Sequence, residues 1–278
     1  MFVSVNIVQD ILTYDFLSYA FIACILSGIT CGIIGSYVVA RRIVFLSGGI
    51  THASFGGLGI ALYAGFDPLL GALGFASVSA VGIEYASRRV GIREDSATGI
   101  IWSIGMATGA LFMSLRAGYA TDLTSYLFGN ILLVGRNDVI WLGVLTAVVV
   151  IGALIWLRRI MYITFDEEFA CSQGVATTFT AYMMSIVVAA TIVLSIKVMG
   201  IILLLSLISM PTVIVNMLTK DFRRIAIWSA VVAVGGNIIG FILSYTFDLP
   251  TGSCIIFILT AALICVKLLT LCRRARFK

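Results

Sequence analysis

The sequence predicts an all-α integral membrane protein, a polytopic bundle of about nine transmembrane helices within a range of eight to ten. Hydrophobic residues make up 61% of the 278 residues and charged residues only 11%, whereas a soluble domain carries about a quarter charged residues. The mean hydropathy is +1.13, and the apolar residues gather in runs of about 20, the length that a spanning helix needs. No Pro/Ser-rich linker interrupts these runs, so we expect a single transmembrane domain over residues 1–278.

Nine apolar runs qualify as spans. In chain order they cover residues 16–40, 44–65, 68–88, 98–115, 137–157, 178–197, 199–219, 225–246 and 252–271. None shows the ten-residue alternation of an outer-membrane barrel strand. Because so few residues separate the sixth run from the seventh, these two could instead form one bent or re-entrant unit, which would give eight spans. Residues 122–135 are too few to span, and we expect a short interfacial or re-entrant helix there, with Tyr126 and Phe128 at the membrane boundary.

Lysine and arginine set the orientation of the bundle. When the ends of the spans are assigned alternately to two sides, three basic residues fall on one side: Arg116, Arg136 and Lys197. Fourteen fall on the other: Arg41, Arg42, Arg88, Arg89, Arg93, Arg158, Arg159, Lys220, Arg223, Arg224, Arg273, Arg274, Arg276 and Lys278. Positive charge stays in the cytoplasm, so we expect a cytoplasmic C-terminus in a bacterial inner or plasma membrane. The net charge of +5 therefore reflects membrane topology and not nucleic-acid binding.

The second run contains SGGITHASFGGLG (residues 47–59), which holds His52, the one histidine of the chain. An ionisable group within a span usually faces the interior of the bundle. One interpretation is a neutral imidazole bonded to a carbonyl of a neighbouring helix, and the other is a transient metal ligand along a transport path. The small residues around it, Gly48, Gly49, Gly56 and Gly57, predict close helix packing and a bundle able to line a narrow path.

The cytoplasmic loop at residues 158–177, RRIMYITFDEEFACSQGVAT, carries the acidic run Asp166, Glu167 and Glu168. The pattern predicts a short helix with Phe165 and Phe169 on one face, ending at Gly174. Such a helix at the membrane surface could dock a cytoplasmic partner, or it could be a plain amphipathic connector. At the inner end of the third span, Glu84 precedes Arg88 by four residues, the spacing of a helical ion pair.

Catalytic motifs are absent from the sequence, so we expect a non-catalytic membrane subunit. There is no G-x-S-x-G sequence and no P-loop of the form G-x-x-x-x-G-K-[ST], and the chain therefore cannot hydrolyse a nucleotide by that device. Energy for active transport would come from another polypeptide or from an ion gradient.

From about Tyr19 to the last span, the chain resembles the membrane permease subunits of the zinc/manganese/iron branch of binding-protein-dependent ABC importers. Each of the stretches that carry the resemblance is weak alone, but together they follow the order of the family. They are FLSGGITHASFGGLGIAL, TSYLFGNILLV, MYITFDEEFACSQGV, KVMGIILLLSLISMPTVIV and DLPTGSCIIFILTA.

The resemblance implies a permease that works as a homodimer, with the translocation path between the two copies. It implies that a cytoplasmic ABC ATPase dimer docks on the segment at about 165–175, through Phe165, Asp166, Glu167, Glu168, Phe169 and Gly174. It also implies an external metal-binding protein that delivers the divalent metal, which is the substrate. No cofactor bound by the chain itself is implied, and alternating access would follow from ATP binding and hydrolysis in the partner.

One departure from the family concerns the metal ligands. Many members carry an aspartate three residues before the histidine, where this chain has Gly49. Only His52 is then left as a candidate ligand, and a site with two nitrogens would need His52 from both copies. Transition-metal sites normally use several ligands, so the missing carboxylate leaves the choice of metal open and also allows a metal chelate as cargo.

Two further functions stay open. A stand-alone secondary transporter or channel for a cation would need several intramembrane carboxylates or paired charges, and only Glu84 qualifies, with Arg88 as its expected partner. A hydrophobic subunit of a larger membrane complex that transports nothing is the third alternative. Co-purification of an ATP-binding subunit separates the importer from both.

Overall fold

Long apolar runs fold into helices throughout the described chain. The computed structural model describes residues 7–115, 131 and 134–276, and these residues contain no strand. A helix satisfies its own backbone N–H and C=O groups, as lipid requires. Numbered in chain order, the helices are α1 Ile7–Thr13, α2 Asp15–Ala40, α3 Val44–Ala64, α4 Pro68–Tyr85, a π-helix Ala86–Val90, α5 Glu94–Ser114, α6 Arg136–Phe165, α7 Glu167–Ser172, α8 Thr177–Asn216, α9 Phe222–Phe247 and α10 Thr251–Arg276.

Eight helices among the described residues are long and apolar enough to cross a membrane by length and composition. The predicted polytopic all-α bundle is thereby confirmed. Seven of the eight coincide with one predicted span each, and α8 contains the runs predicted at 178–197 and 199–219. Most of the short helix predicted at 122–135, including Tyr126 and Phe128, lies outside the described residues.

The two adjoining runs of α8 are separated by a break at Gly200. An unbroken helix of 40 residues would be about 60 Å long at 1.5 Å per residue, about twice the thickness of the hydrocarbon layer. Gly200 has φ 76° and ψ 169°, a conformation that is essentially restricted to glycine. The prediction of two spans and its alternative of one bent unit therefore describe the same segment, a helical run that changes direction at one glycine.

The helices divide into two compact units, and the first comprises Met1–Val39, Phe128–Ile155 and Lys197–Lys278. In this unit α2 and α9 run antiparallel at close range, since Asn237 Nδ2 donates to the Cys24 carbonyl at 2.7 Å. Eight residues further along α2, a Cβ added to Gly32 would stand 2.4 Å from Ala230 Cα. Close contact between backbones takes the place of the hydrophobic driving force that lipid does not supply.

The second unit comprises Ala40–Leu127 and Trp156–Ile196, and α3 packs tightly in it against α4 and α5. A Cβ on Gly57 would lie 2.0 Å from the Gly71 carbonyl oxygen of α4, and one on Gly59 would lie 2.7 Å from the Gly109 carbonyl oxygen of α5. These approaches leave no room for a side chain. This unit holds both His52 and α7, and thus every side chain of the candidate site.

Candidate functional site

The ring of His52 lies flat against the ring of Trp102. The two centroids are 4.2 Å apart and the rings are 3° from parallel. His52 is half-buried, and its Nδ1 is buried without a hydrogen-bond partner among the described residues. The interpretation of a carbonyl-bound histidine is therefore not met at Nδ1. A neutral imidazole nitrogen of this kind can still serve as a metal ligand.

Few other groups could complete a metal site around His52 within one chain. Among the described residues no group of three or more His, Cys, Asp and Glu side chains is placed to hold a metal ion. The buried side-chain oxygens on α3, and that of Thr98 on α5, are hydroxyls. Ser47 Oγ and Thr98 Oγ1 are both buried without a hydrogen-bond partner in the described part of the chain.

The glycine at position 49 is required by the packing of α5. A Cβ added to Gly49 would lie 2.1 Å from Thr98 Cγ2, and Thr98 is buried. No side chain, and therefore no aspartate, fits at position 49 while Thr98 keeps this place. The departure from the family pattern thus coincides with a specific contact between α3 and α5.

The other glycines predicted around His52 differ in their surroundings. A Cβ on Gly56 would meet Phe75 Cζ at 2.8 Å and the Gly105 carbonyl oxygen at 3.0 Å, whereas a Cβ on Gly48 would have no neighbour within 4 Å. Gly56, like Gly57, lies at a close helix contact. Gly48 faces open space.

The segment predicted to be cytoplasmic folds as the helix α7 between two clear boundaries. Asp166 precedes α7 in an extended conformation, and its side chain accepts a hydrogen bond from Phe169 N at 2.8 Å, which is ordinary N-capping. Gly174 follows with φ 75°, the left-handed conformation typical after a helix C-terminus. Phe165 is the last residue of α6, so the prediction that Phe165 and Phe169 share one short helix is wrong. The cap at Asp166 separates them.

The outer surface of this segment is aromatic. Phe165 is 65% exposed and Phe169 46% exposed, and Glu168 is exposed beside them. The Phe169 ring meets Tyr162 edge-on, with centroids 5.4 Å apart, which fixes its orientation. Phe179, two residues into α8, is also 67% exposed, although the sequence pattern did not single it out.

A charged cluster lies behind α7, and its centre is Arg88 in the π-helix. Arg88 Nε donates to Glu84 Oε1, while Nη1 and Nη2 donate to the two carboxylate oxygens of Glu167, the second at 3.3 Å. The predicted Glu84–Arg88 pair is thereby observed. The contact between Arg88 and Glu167 joins residues 79 positions apart, and no local pattern could reveal it.

Further polar groups surround the buried Glu84 carboxylate. Ser185 Oγ donates to Glu84 Oε2 at 3.2 Å, and Arg41 Nη1 lies 3.8 Å from Glu84 Oε1. Arg41 also reaches Glu94 at the start of α5, at 3.8 Å. The Glu84 side chain is only 7% exposed, a burial that a carboxylate tolerates when it is paired and hydrogen-bonded.

Glu167 lies outside the spans and its ionised form is favoured. Burial alone would raise the pKa of its carboxyl, but the hydrogen bonds and charge of Arg88 outweigh burial and lower the pKa. Arg41 and a hydrogen bond with Thr177 act in the same direction. Glu167 is therefore an ionised partner of Arg88 at neutral pH.

Comparison with known proteins relates almost the whole chain to membrane transport proteins. Residues 13–270 match the model of the ABC 3 transport family. A "probable metal transport system membrane protein" of Thermotoga maritima is 34% identical over 90% of this chain and 88% of its own length. The "manganese transport system membrane protein MntC" of Listeria monocytogenes is 28% identical over 91% of this chain and 90% of its own.

A solved structure shares the fold. PsaBC from Streptococcus pneumoniae, in complex with Fab, superposes with a TM-score of 0.82 at 24% identity, and the match covers 93% of each chain. The arrangement of helices described above is therefore that of a known membrane protein fold.

Proposed function

Since the chain belongs to the ABC 3 transport family, we propose that it is the permease subunit of an ATP-driven importer that moves a divalent transition metal ion across the inner or plasma membrane. The observation that carries this proposal is the relationship, over 90% of the chain, to the metal transport membrane protein of Thermotoga maritima. The relative from Listeria monocytogenes makes manganese the first ion to test, ahead of zinc and iron.

The energy would come from a separate cytoplasmic ATPase that docks on the segment at 165–175. Two observations support this role. Phe165 and Phe169 are exposed although they lie at the cytoplasmic side by the distribution of basic residues. Exposed aromatic residues grouped in one place are typical of a protein contact. Asp166 and Gly174 hold the helix in shape between them. We therefore assign ATP hydrolysis to the partner and no catalytic residue to this chain.

The path would form between two copies, and the surface of α5 supports this arrangement. On α5, exposed small and hydroxyl residues lie between exposed large apolar residues such as Ile104, whereas the exposed face of α6 consists mainly of large apolar side chains such as Val144 and Ile151. The exposed small residues of α5 are Ser96, Ser103, Ala107, Ala110 and Ser114. Large apolar residues suit lipid, and small residues suit helix association. We infer that α5 faces a second copy and α6 faces lipid.

His52 would contact the ion transiently. The residue is only half-buried, although its Nδ1, which has no hydrogen-bond partner among the described residues, is itself buried. Two copies would bring two imidazoles to the path. A few weak ligands hold an ion loosely, as transport requires, since a tightly held ion would not be released. An external metal-binding protein would supply the ion at the opposite face from the ATPase.

A metal chelate is the second candidate cargo. Gly49 places no carboxylate beside His52, and Thr98 prevents one from fitting. A chelate brings its own ligands and needs little from the protein. Uptake of free Mn²⁺ and of a chelated metal by the same cells separates the two.

The test of the proposed function is metal uptake by the purified chain in liposomes, with its ATPase and with the external metal-binding protein loaded with Mn²⁺. We expect uptake of Mn²⁺ only when ATP and the ATPase are both present. Uptake by the chain alone would contradict the proposal and favour a secondary transporter. Total metal in cells that lack the chain, compared with complemented cells, identifies the ion.

A further inference from the structure

The three carboxylates of the acidic run at 166–168 have three different environments. Asp166 caps α7 through Phe169 N. Glu167 is bound by Arg88 through both of its oxygens. Glu168 is exposed. Asp166 and Glu168 are both exposed, whereas Glu167 is bound by Arg88, so the run is not a uniform acidic patch for a partner.

The contact between Glu167 and Arg88 joins α7 to the cytoplasmic end of α4. Arg88 presents its guanidinium to Glu167 as a fork, and this geometry fixes orientation as well as distance. The same guanidinium is held by Glu84 of α4 through Nε, and Glu84 is in turn bonded by Ser185 of α8. A displacement of Glu167 is thus transferred through Arg88 and Glu84 to the two spanning helices α4 and α8.

The helix α7 is short. It has only six residues, too few for a helix to be stable by itself. Ala170 is buried, and the Phe169 ring contacts Tyr162 edge-on. Without the ion pair, a force on α7 would tilt or unwind it before it moved α4.

We propose that the Glu167–Arg88–Glu84 bridge transmits movement of α7 to α4, and that Glu167 is a positioning residue that acts through Arg88 and not a contact for the ATPase. This inference rests on the proposed function, in which an ATPase docks on the segment at 165–175. It divides that segment into an outer surface, Phe165, Glu168 and Phe169, that binds the partner and an inner side chain, Glu167, that transmits the motion.

The experiment measures two quantities in the complex of the chain with its co-purified ATPase in liposomes, with Mn²⁺ as the probe. One is the amount of ATPase retained by the chain during affinity purification. The other is the number of Mn²⁺ ions taken up per ATP hydrolysed. The variants are Glu167→Gln, Arg88→Gln and the double variant, with Phe169→Ala as a docking variant. Asp95→Asn is the matched control, because it removes a carboxylate from an exposed ion pair with Arg93 near the same end.

We expect Glu167→Gln and Arg88→Gln to retain the ATPase. Uptake per ATP should fall about fivefold or more, because the movement of α7 would no longer be coupled to α4. The double variant should be no worse than Arg88→Gln alone, because Arg88→Gln already removes the contact with Glu167 together with the contact with Glu84. Phe169→Ala should lose the ATPase, and Asp95→Asn should match the wild type. If Arg88→Gln does not assemble, Arg88→Lys, which keeps the charge without the fork, should give an intermediate ratio.

Unchanged uptake per ATP in Glu167→Gln would overturn the proposal, and so would loss of the ATPase in that variant with retention in Arg88→Gln. If Glu167 had a purely structural role, its replacement would lower the amount of assembled complex and leave Mn²⁺ uptake per ATP unchanged. This result would also contradict the proposal. If the wild-type chain itself retains no ATPase, the proposed function is wrong. The proposed role of Glu167 then fails because no partner moves α7, and this result differs from unchanged uptake per ATP in Glu167→Gln.

Discussion

At the scale of single residues, the environment of a side chain decides which chemistry it can perform. His52 and Gly49 lie one helical turn apart on α3, yet Trp102 covers the ring of the first and Thr98 fills the space beside the second. The sequence pointed to His52 because a lone ionisable residue in a span is costly. It could not reveal Trp102 or Thr98 as the neighbours, since both belong to another helix.

Replacement of His52 by alanine should lower Mn²⁺ uptake by about tenfold or more, the range typical for a disturbed metal site. Uptake by whole cells and by liposomes measures the effect, and the amount of dimer with ATPase checks assembly. Ser54→Ala is the control on the same helix, because in the described part of the chain Ser54 Oγ donates to the Thr51 carbonyl of its own helix, at 2.6 Å. Normal uptake by a correctly assembled His52→Ala complex would exclude His52 from the path.

Replacement of Gly49 by alanine should destabilise the protein by about 1–3 kcal/mol, the cost of an overpacked core, because the new Cβ would lie 2.1 Å from Thr98 Cγ2. Thr98→Ser removes that methyl group, so the double variant should regain part of the loss. Gly48→Ala is the matched control and should be neutral or stabilising, since its Cβ has no neighbour within 4 Å. Thermal unfolding in detergent of the wild type and of each variant measures these differences in stability. Equal losses at positions 48 and 49 would contradict the packing argument.

At the scale of elements, the backbone conformation of particular residues determines where helices of this chain are interrupted. Gly200 breaks α8 with φ 76° and ψ 169°, and Asp166 separates α7 from α6. The hydropathy pattern revealed both regions but not the boundaries. Apolar residues continue through Gly200 without interruption, so composition alone could not decide between a bend and two spans.

Replacement of Gly200 by alanine should cost about 1–3 kcal/mol, because a residue with a Cβ is strained in this backbone conformation. Gly152→Ala in α6 is the control, since that glycine is helical and a Cβ there would meet nothing within 4 Å. The melting temperature should fall for the first and hold or rise for the second. A Gly200→Ala protein as stable as the wild type would mean that the break does not depend on glycine.

The attachment of α7 should depend on pH through Glu167. Its pKa is lower in the folded protein than the ordinary value of about 4.3 for the unfolded chain. Its ionised form therefore adds stability above that pH, and the contribution disappears as the pH falls through the folded pKa. Because the side chain is 40% exposed, we expect about 1 kcal/mol or less.

Melting temperatures of the wild type and of Glu167→Gln, measured from neutral to acidic pH, test this dependence. The difference in melting temperature between the two proteins should be constant near neutral pH and should disappear at acidic pH. Glu168→Gln, at an exposed position next to it, should show no such difference. A difference that widens in acid would reverse the sign and refute the assignment.

At the scale of the whole molecule, α5 exposes small and hydroxyl residues between large apolar residues such as Ile100 and Ile104. Its small and hydroxyl residues would gain little from lipid contact, and close approach of another helix is the arrangement that suits them. Two copies of the chain meeting along α5 would then enclose the path.

Cysteine cross-linking tests this arrangement in the membrane. In a background where the exposed Cys171, Cys265 and Cys272 are replaced by serine, Ser103→Cys should give a covalent dimer with a short bismaleimide. Ile151→Cys on the exposed face of α6 should not. Cross-linking at Ile151 alone would place the second copy against α6 and refute the proposed interface.

The sequence by itself determined that this chain is a helical membrane protein, which side of its spans is basic, and where the histidine and the acidic loop lie. These properties depend on composition and short-range spacing, which the order of residues states directly. Only the tertiary structure decided that Gly49 faces Thr98, that His52 stacks on Trp102, and that Glu167 is bound by Arg88. Each of these contacts joins side chains from different helices, and the relative position of helices depends on packing that no local pattern contains.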